Sequence, residues 1–389
     1  MYDLEIGAQP YLDPWHLPLR DRLAALARGR KRRIAYFYEK ADNSTFRYRV
    51  YNMAQVLNAG DDEVSAGYFF LDDLRRIDEI LDLADMLVVC RTRYDHRVSH
   101  LIQRFQGRGK PVLFDTDDLV FDIEQAHLLM ATLDVEFDIP SVWEYWFAYI
   151  GRLGATLKMC DGAVTTNDFL AQRIRDFADV PVNVVPNFMN REQLELSDRV
   201  FQAKQGRRPD ANEVIHFGYF SGSPSHNHDF GLIAPALEAA LEEDERLGVV
   251  VVGYIEAGPK LLKFGPKRVT RFPFVDYVNL QRLIGSVEFN VMPLQSNTFT
   301  HCKSELKYFE AAAVGTQSIA SPTYTYGRAI RHGDNGWLAQ AHQWLRVIRE
   351  ALAGIDGYAA MAERSRADAL AKYAWYNQRE TILRALSLP

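Results

Sequence analysis

Short aliphatic runs and helical stretches alternate along this chain, and the alternation happens twice. In the first half, apolar runs of strand length lie at 34–38, 86–90, 111–114, 163–166 and 182–185. Helical periodicity falls between them at 47–57, 72–83, 97–106 and 142–158, with one more helix ending near residue 177. Such alternation argues for a parallel sheet, because parallel neighbours need a crossover and a helix supplies it. After a polar stretch the pattern restarts, with strand-like runs at 214–219, 249–253, 269–272, 289–293 and 316–321. The expected fold is therefore α/β, two doubly wound domains facing across a cleft. The expected divisions are a first domain over 1–190 with a leader at 1–30, a linker at 191–212, a second domain over 213–366 and a terminal helix over 367–389. A chain of 389 residues that is 48% hydrophobic can fill two such cores.

Composition removes several functional classes. A net charge of -6, from 45 basic and 51 acidic residues, argues against bulk nucleic-acid binding. Cys90, Cys160 and Cys302 are scattered without metal-ligand spacing, so neither a disulfide framework nor a zinc site is expected, and a reducing cytoplasm fits. The start of the chain lacks the basic-then-apolar pattern of a signal peptide, and no run is long enough to span a bilayer. The basic run at 28–33 is either a solvated flank or a contact for anionic lipid.

Open parallel sheets bind ligands at the carboxyl ends of their strands, so the loops there are the candidate site. After the first strand come Asn43, Ser44 and Thr45, then Arg47 and Arg49 on a helix start. The strand at 111–114 runs into Asp115, Asp117, Asp118 and Asp122, carboxylates that are expensive to crowd unless solvated, paired or used. In the second half, Ser221, Gly222 and Ser223 form a small-residue loop before a helix, where backbone amides can approach a phosphate. His226 and His228 beside Asp229 are not specific enough to name a metal, and none is expected. Lys303, Lys307 and Glu310 recur at i, i+4 and i+7 and share one helical face, while Leu306, Phe309 and Ala313 form an apolar one. Two lysines and a carboxylate suit a ligand with an anionic end and a hydroxylated end, as a nucleotide sugar has. The alternative is a solvated charge stripe.

Four segments together carry a family resemblance: 44–52 (STFRYRVYN), 115–122 (DTDDLVFD), 218–226 (GYFSGSPSH) and 303–311 (KSELKYFEA). Over about residues 33–340 the chain resembles GT-B glycosyltransferases of family 4, of the bacterial surface-polysaccharide (O-antigen and capsule) type. The resemblance implies two Rossmann-like domains, with the donor held by the second and a terminal helix crossing back near Trp375. It implies a sugar moved from a nucleotide-sugar donor to a saccharide or polyprenyl-linked saccharide acceptor, with retention and without a metal or other cofactor. The donor would meet Ser221, Gly222, Ser223, Lys303, Ser304, Glu305, Lys307 and Glu310. Asn43, Ser44, Thr45, Arg47 and Arg49 would face the acceptor or an anionic part of either substrate. Asp115, Asp117 or Asp118 would position or activate the acceptor hydroxyl, and Lys303 would offset charge on the departing diphosphate. The usual family motif is Glu, seven residues, Glu; Glu310 matches the second, and counting seven back reaches Lys303. An Arg or Lys usual after the first strand of the second domain is missing at 221–229, which makes Lys303 or Lys307 its replacement. The protein is expected in the cytoplasm, peripherally at the inner face of the membrane through a lipid-linked acceptor.

Three rival readings remain. The Asp115-Thr-Asp117 spacing also matches the metal-binding DxD of GT-A enzymes, which have a different fold. A nucleotide-sugar epimerase can use the same two-domain plan. A non-catalytic carbohydrate-binding or assembly subunit keeps the fold and loses the chemistry, and Lys303 in a carboxylate's place favours it.

Overall fold

In the computed structural model, residues 1–2, 4–133, 135–136, 138–205, 214–222 and 227–387 are described. The first domain is a six-stranded sheet of β1 (Arg32–Phe37), β2 (Val64–Phe69), β3 (Met86–Cys90), β4 (Val112–Thr116), β5 (Gly162–Thr165) and β6 (Val182–Val184), ordered β2-β1-β3-β4-β5-β6. The second is built from β7 (Ile215–Ser221), β8 (Leu247–Gly253), β9 (Val269–Phe272), β10 (Phe289–Met292), β11 (Gln317–Ala320) and β12 (Trp337–Leu338), ordered β12-β11-β10-β7-β8-β9. Every pairing in both sheets is parallel, as the alternation predicts.

Successive strand residues point to opposite faces, and the cores follow that rule. In the first sheet Ala35, Phe37, Leu87 and Val89 enter one outer core. Their neighbours Ile34, Tyr36, Met86 and Val88 enter a second core, which also holds Phe220, Val252, Tyr277 and Phe309 of the second domain. The facing layers of the two domains thus merge into one apolar body behind the cleft. Phe217, Tyr219, Val249 and Val251 fill the outer layer of the second sheet.

Both chain ends tie the domains together. The leader, expected with the first domain, begins on the second: the Tyr2 amide donates to Ser286 O (2.8 Å) and the Gln9 amide to Asn279 Oδ1 (2.8 Å). Trp15, only 1% exposed, then packs among Phe46, Tyr51 and Tyr277. At the other end, the single helix expected over 367–389 is two, Tyr358–Tyr373 and Arg379–Ala385. They are parted where Ala374 turns extended and bridges Met189. The second of them reaches the first domain, where Asn183 Nδ2 donates to Ala385 O (2.9 Å) and Arg379 Nη1 to Leu57 O (3.0 Å).

Three further differences have local causes. β2 was not foreseen, because VSAGYF is short and rich in small residues. The polar stretch after 190 contains a helix, Arg191–Lys204, capped by Asn190 and burying Leu194, Leu196 and Val200 against Tyr277–Gly285. The helix expected over 47–57 opens as a π-helical turn, Arg47–Tyr51, before Asn52–Asn58.

Candidate functional site

Strand order reverses beside β1 in the first sheet and beside β7 in the second. Neighbouring loops diverge at such points and leave a crevice beyond the strand ends. The two crevices face each other and form one cleft of about 560 Å³.

On the second-domain wall, Ser221 and Gly222 close β7, and Gly253 closes β8 beside them. Gly253 has φ +99, and a Cβ there would stand 1.9 Å from Ser221 O, so only glycine lets these strand ends approach. Ser223 and His226 lie outside the described residues. Lys303, Ser304, Lys307 and Glu310 all line the cleft, as their spacing suggests. The helix itself is shorter than expected, Leu306–Ala313, so Lys303 sits on the preceding turn. Lys307 Nζ lies 4.9 Å from the Tyr219 ring centre. Burial lowers its pKa to about 8, and Lys303 pushes the same way, while Asp229 and Glu310 oppose them. Glu310 is 4% exposed; its Oε1 accepts from Tyr48 OH (2.6 Å) and Gln193 Nε2 (2.9 Å), with Arg47 Nη2 at 3.6 Å.

Glu305 does not join this set. It is buried away from the cleft, with Oε1 accepting from Tyr373 OH and lying 3.6 Å from Lys372 Nζ. It fastens the helix Tyr358–Tyr373 to the start of the helix Leu306–Ala313. Ser304 lines the cleft, but its Oγ accepts from Asn187 Nδ2 (3.0 Å). The motif position also needs correction. With seven residues intervening, the first carboxylate's place is Cys302, which is fully buried; neither Cys302 nor Lys303 supplies a carboxylate.

On the first-domain wall, Asn43, Ser44, Thr45, Asp117 and Asp118 line the cleft. Thr45 Oγ1 lies 3.2 Å from both Asp117 oxygens, and Asp118 Oδ1 lies 3.8 Å from Lys303 Nζ across the cleft. Burial raises the Asp117 pKa against the pull of Arg91, and nearby Asp118 raises it further. Asp115 and Arg49 are a different matter. Asp115 is 1% exposed and Arg49 is fully buried; they form a two-pronged ion pair (2.7 and 3.0 Å). Arg49 Nη1 also donates to Val185 O (2.7 Å) and Asn187 Oδ1 (3.2 Å). The resemblance puts a carboxylate that positions or activates the acceptor at Asp115 and a cation facing an anionic part of either substrate at Arg49. Instead they start a buried polar chain through Asn187 to Ser304. Arg47 lines the cleft beside Glu310, with its guanidinium 4.1 and 4.2 Å from the Tyr48 and Tyr277 ring centres. The DxD spacing does not converge, since Asp115 faces Arg49 and Asp117 faces Arg91. Among the described residues, no three His, Cys, Asp or Glu side chains are grouped to hold a metal ion.

Beside Tyr48, Gln193 and Asn187, two more polar residues carry no role in the sequence reading. Arg91 follows β3 with φ +40, a strained value for a non-glycine residue. Its Nη1 donates to Thr45 Oγ1 (2.8 Å) and Asp117 Oδ1 (3.2 Å), and lies 3.5 Å from Asp118 Oδ2. The signal was an arginine directly after an all-apolar strand. Asn290 sits inside β10, lines the cleft, and is 2% exposed; its Oδ1 has no partner among the described residues. A polar residue inside a strand was its signal.

Residues 213–354 match the family described as glycosyl transferases group 1. No curated protein sequence matches the chain significantly. Among solved structures, Anabaena HepE in complex with UDP and glucose shares 13% identity at a TM-score of 0.59, covering 91% of this chain and 99% of that one. The fold is GT-B. WaaG, a glycosyltransferase involved in lipopolysaccharide biosynthesis, gives 13% identity and a TM-score of 0.57, covering 91% of this chain and 100% of that one. Sucrose-phosphate synthase from Thermosynechococcus elongatus gives 14% and 0.55, covering 91% and 97%.

Proposed function

We propose that this GT-B protein transfers a glycosyl group from a nucleotide-diphosphate sugar to a saccharide acceptor, free or lipid-linked. The observation that carries this reading is the convergence of Lys303, Lys307 and Glu310 on the cleft beside the Ser221–Gly222 strand end. Glu310 is the ribose acceptor, oriented by Tyr48 and Gln193 through one oxygen. Lys303 and Lys307 meet the diphosphate, and the strand-end amides add to their field. Asp117 and Asp118, held by Arg91, position the acceptor hydroxyl from the opposite wall. Leaving-group charge falls to these lysines in a retaining, metal-independent transfer. The group 1 match over 213–354 supports a donor site in the second domain, and the UDP of the HepE complex supports a uridine donor. The part WaaG takes in lipopolysaccharide biosynthesis supports a role in bacterial surface polysaccharide, at the cytoplasmic side of the membrane. Among the described residues no helix is long and apolar enough to cross a membrane.

The test is thermal shift with a panel of nucleotide sugars on the wild type and on Glu310→Ala. A ligand that binds the folded state raises the melting temperature by linkage. One nucleotide class should stabilise the wild type and not the variant. A wild type unmoved by the whole panel would remove the donor site and favour a non-catalytic subunit.

A further inference from the structure

The turn that carries Lys303 belongs to the second domain by sequence and to the first by packing. Just before it, Phe299 and Cys302 are buried in the outer core of the first sheet, with Leu129 and Leu170, and in neither core layer of their own sheet. Polar contacts repeat the pattern. Asn167 Nδ2 donates to Cys302 O (2.8 Å) and Asn187 Nδ2 to Ser304 Oγ (3.0 Å), so a first-domain amide holds the residue on each side of Lys303. Each amide is fixed in its own domain through its other end. Asn167 Oδ1 accepts from Leu170 N (2.9 Å) and caps the helix Asp168–Ala178, and Asn187 Oδ1 accepts from Arg49 Nη1 (3.2 Å). Phe169 of the capped helix also lies against His301, with ring centres 5.5 Å apart. Lys303 itself passes over the Phe299 ring, 4.7 Å from its centre, and ends 3.8 Å from Asp118 Oδ1. Lys307 stands instead on the helix Leu306–Ala313, where its carbonyl accepts from Asn290 Nδ2 of β10 (3.1 Å). The two cleft lysines therefore hang on different domains.

We propose that Asn167 is a positioning residue for Lys303: it holds the lysine's turn to the first domain and so aims the ammonium at the diphosphate of a donor that Lys307 and Glu310 hold from the second. The inference rests on the glycosyl-transfer reading of the cleft. It makes the distance from Lys303 to the leaving group a property of the wall that carries Asp117 and Asp118, not of the helix that carries Glu310. Such preorganisation matters, because a misplacement of about 1 Å can cost roughly 100-fold in rate. Lys307 and Glu310 bind the donor without this turn, so its loss falls on kcat and spares donor KM.

The experiment separates the two ends of the Asn167 amide. Asn167→Ser and Asn167→Asp keep an acceptor that caps the helix and remove the donor that reaches Cys302 O. In both, kcat for release of nucleoside diphosphate from a panel of nucleotide sugars, with methyl glycosides as acceptors, should fall at least roughly 5-fold, while donor KM stays within about 2-fold. The melting temperature should stay within about 4 °C of the wild type. Lys303→Met should lose more, and adding Asn167→Ser to it should change kcat by less than about 2-fold, because the asparagine acts through the lysine. Hydrogen exchange over 298–304 should quicken in both Asn167 variants, and exchange over 170–178 should not. Unchanged kcat in both variants overturns the proposal. So does a loss that adds in full to that of Lys303→Met, as a general loosening of the fold would give, or exchange over 298–304 that keeps the wild-type rate. A wild type that turns over no donor, with exchange over 298–304 still quickened in the variants, would support the first-domain hold on this turn and sink the donor reading instead.

Discussion

Replacing Asp115 by Asn should unfold this protein before it slows it. The carboxylate is 2% exposed, and it grips the fully buried Arg49 guanidinium through two contacts of 2.7 and 3.0 Å. Burial raises its pKa to about 6 even with Arg49 alongside, so near pH 7.5 it is ionised and the pair is formed. Removing one charge from a buried pair leaves the other unpaired, which costs about 3–5 kcal/mol. For a domain of this size that is a fall in Tm of roughly 6–20 °C. Arg49→Met should lose as much, and should also free Asn187, which links Arg49 to Ser304 on the donor side. The double variant Arg49→Met/Asp115→Leu should lose less than the two single losses added, since it leaves no orphaned charge. Thermal and urea unfolding at pH 7.5 measure all three, with turnover normalised to folded protein. An Asp115→Asn protein that melts like the wild type but loses more than about 100-fold in kcat would refute the structural role and restore Asp115 as a base.

Other outcomes follow from the same geometry. Lys307, held near pKa 8 by burial, should lose its charge as pH rises through that value. UDP affinity measured by calorimetry should then weaken, approaching about 10-fold per pH unit above 8. Lys307→Arg should keep that affinity flat to about pH 9.5, and an equally steep loss in the variant would assign the titration elsewhere. Tyr48→Phe removes the 2.6 Å bond to Glu310 and should cost about 1.5–3 kcal/mol in urea unfolding, with a donor KM raised roughly 10-fold. No change in either quantity would mean that Tyr48 does not orient Glu310. Gly253→Ala forces a Cβ onto Ser221 O at a φ of +99; it should destabilise by about 1–3 kcal/mol or more and weaken UDP binding. An unperturbed variant would show that the strand ends can part freely.

Much of the architecture was legible because it rests on periodicity. Apolar runs of five or so residues separated by helical spacing specify parallel strands, and the alternation of Ile34, Ala35, Tyr36 and Phe37 between two cores is that pattern realised. The convergence of Lys303, Lys307 and Glu310 on the cleft was legible for the same reason: helical spacing fixes which side chains share a face, and the face survives although Lys303 lies just before the helix. Burial of polar groups was not legible. Nothing in DTDD separates Asp115, locked to an arginine from a distant segment, from Asp117 and Asp118 at the cleft surface, because the distinction depends on contacts 66 residues apart in the chain. Glu305 failed likewise, being claimed by Tyr373 from an element remote in sequence, and the contact that Asn187 makes to Ser304 at the cleft was equally invisible. The helix 191–204 was read as a linker because its exposed face is so polar that the buried Leu194, Leu196 and Val200 were outweighed.

Turnover of nucleotide sugars in the presence of alkyl glycoside acceptors, followed by mass spectrometry, tests the central claim most directly. The wild type should release nucleoside diphosphate from one class of donor while the acceptor gains the mass of one sugar. Glu310→Ala and Lys307→Met should lose at least roughly 100-fold of that rate, about 2.7 kcal/mol of transition-state stabilisation. Binding without release, or an altered sugar still attached to its nucleotide, would contradict glycosyl transfer and point to a carbohydrate-binding subunit or an epimerase respectively.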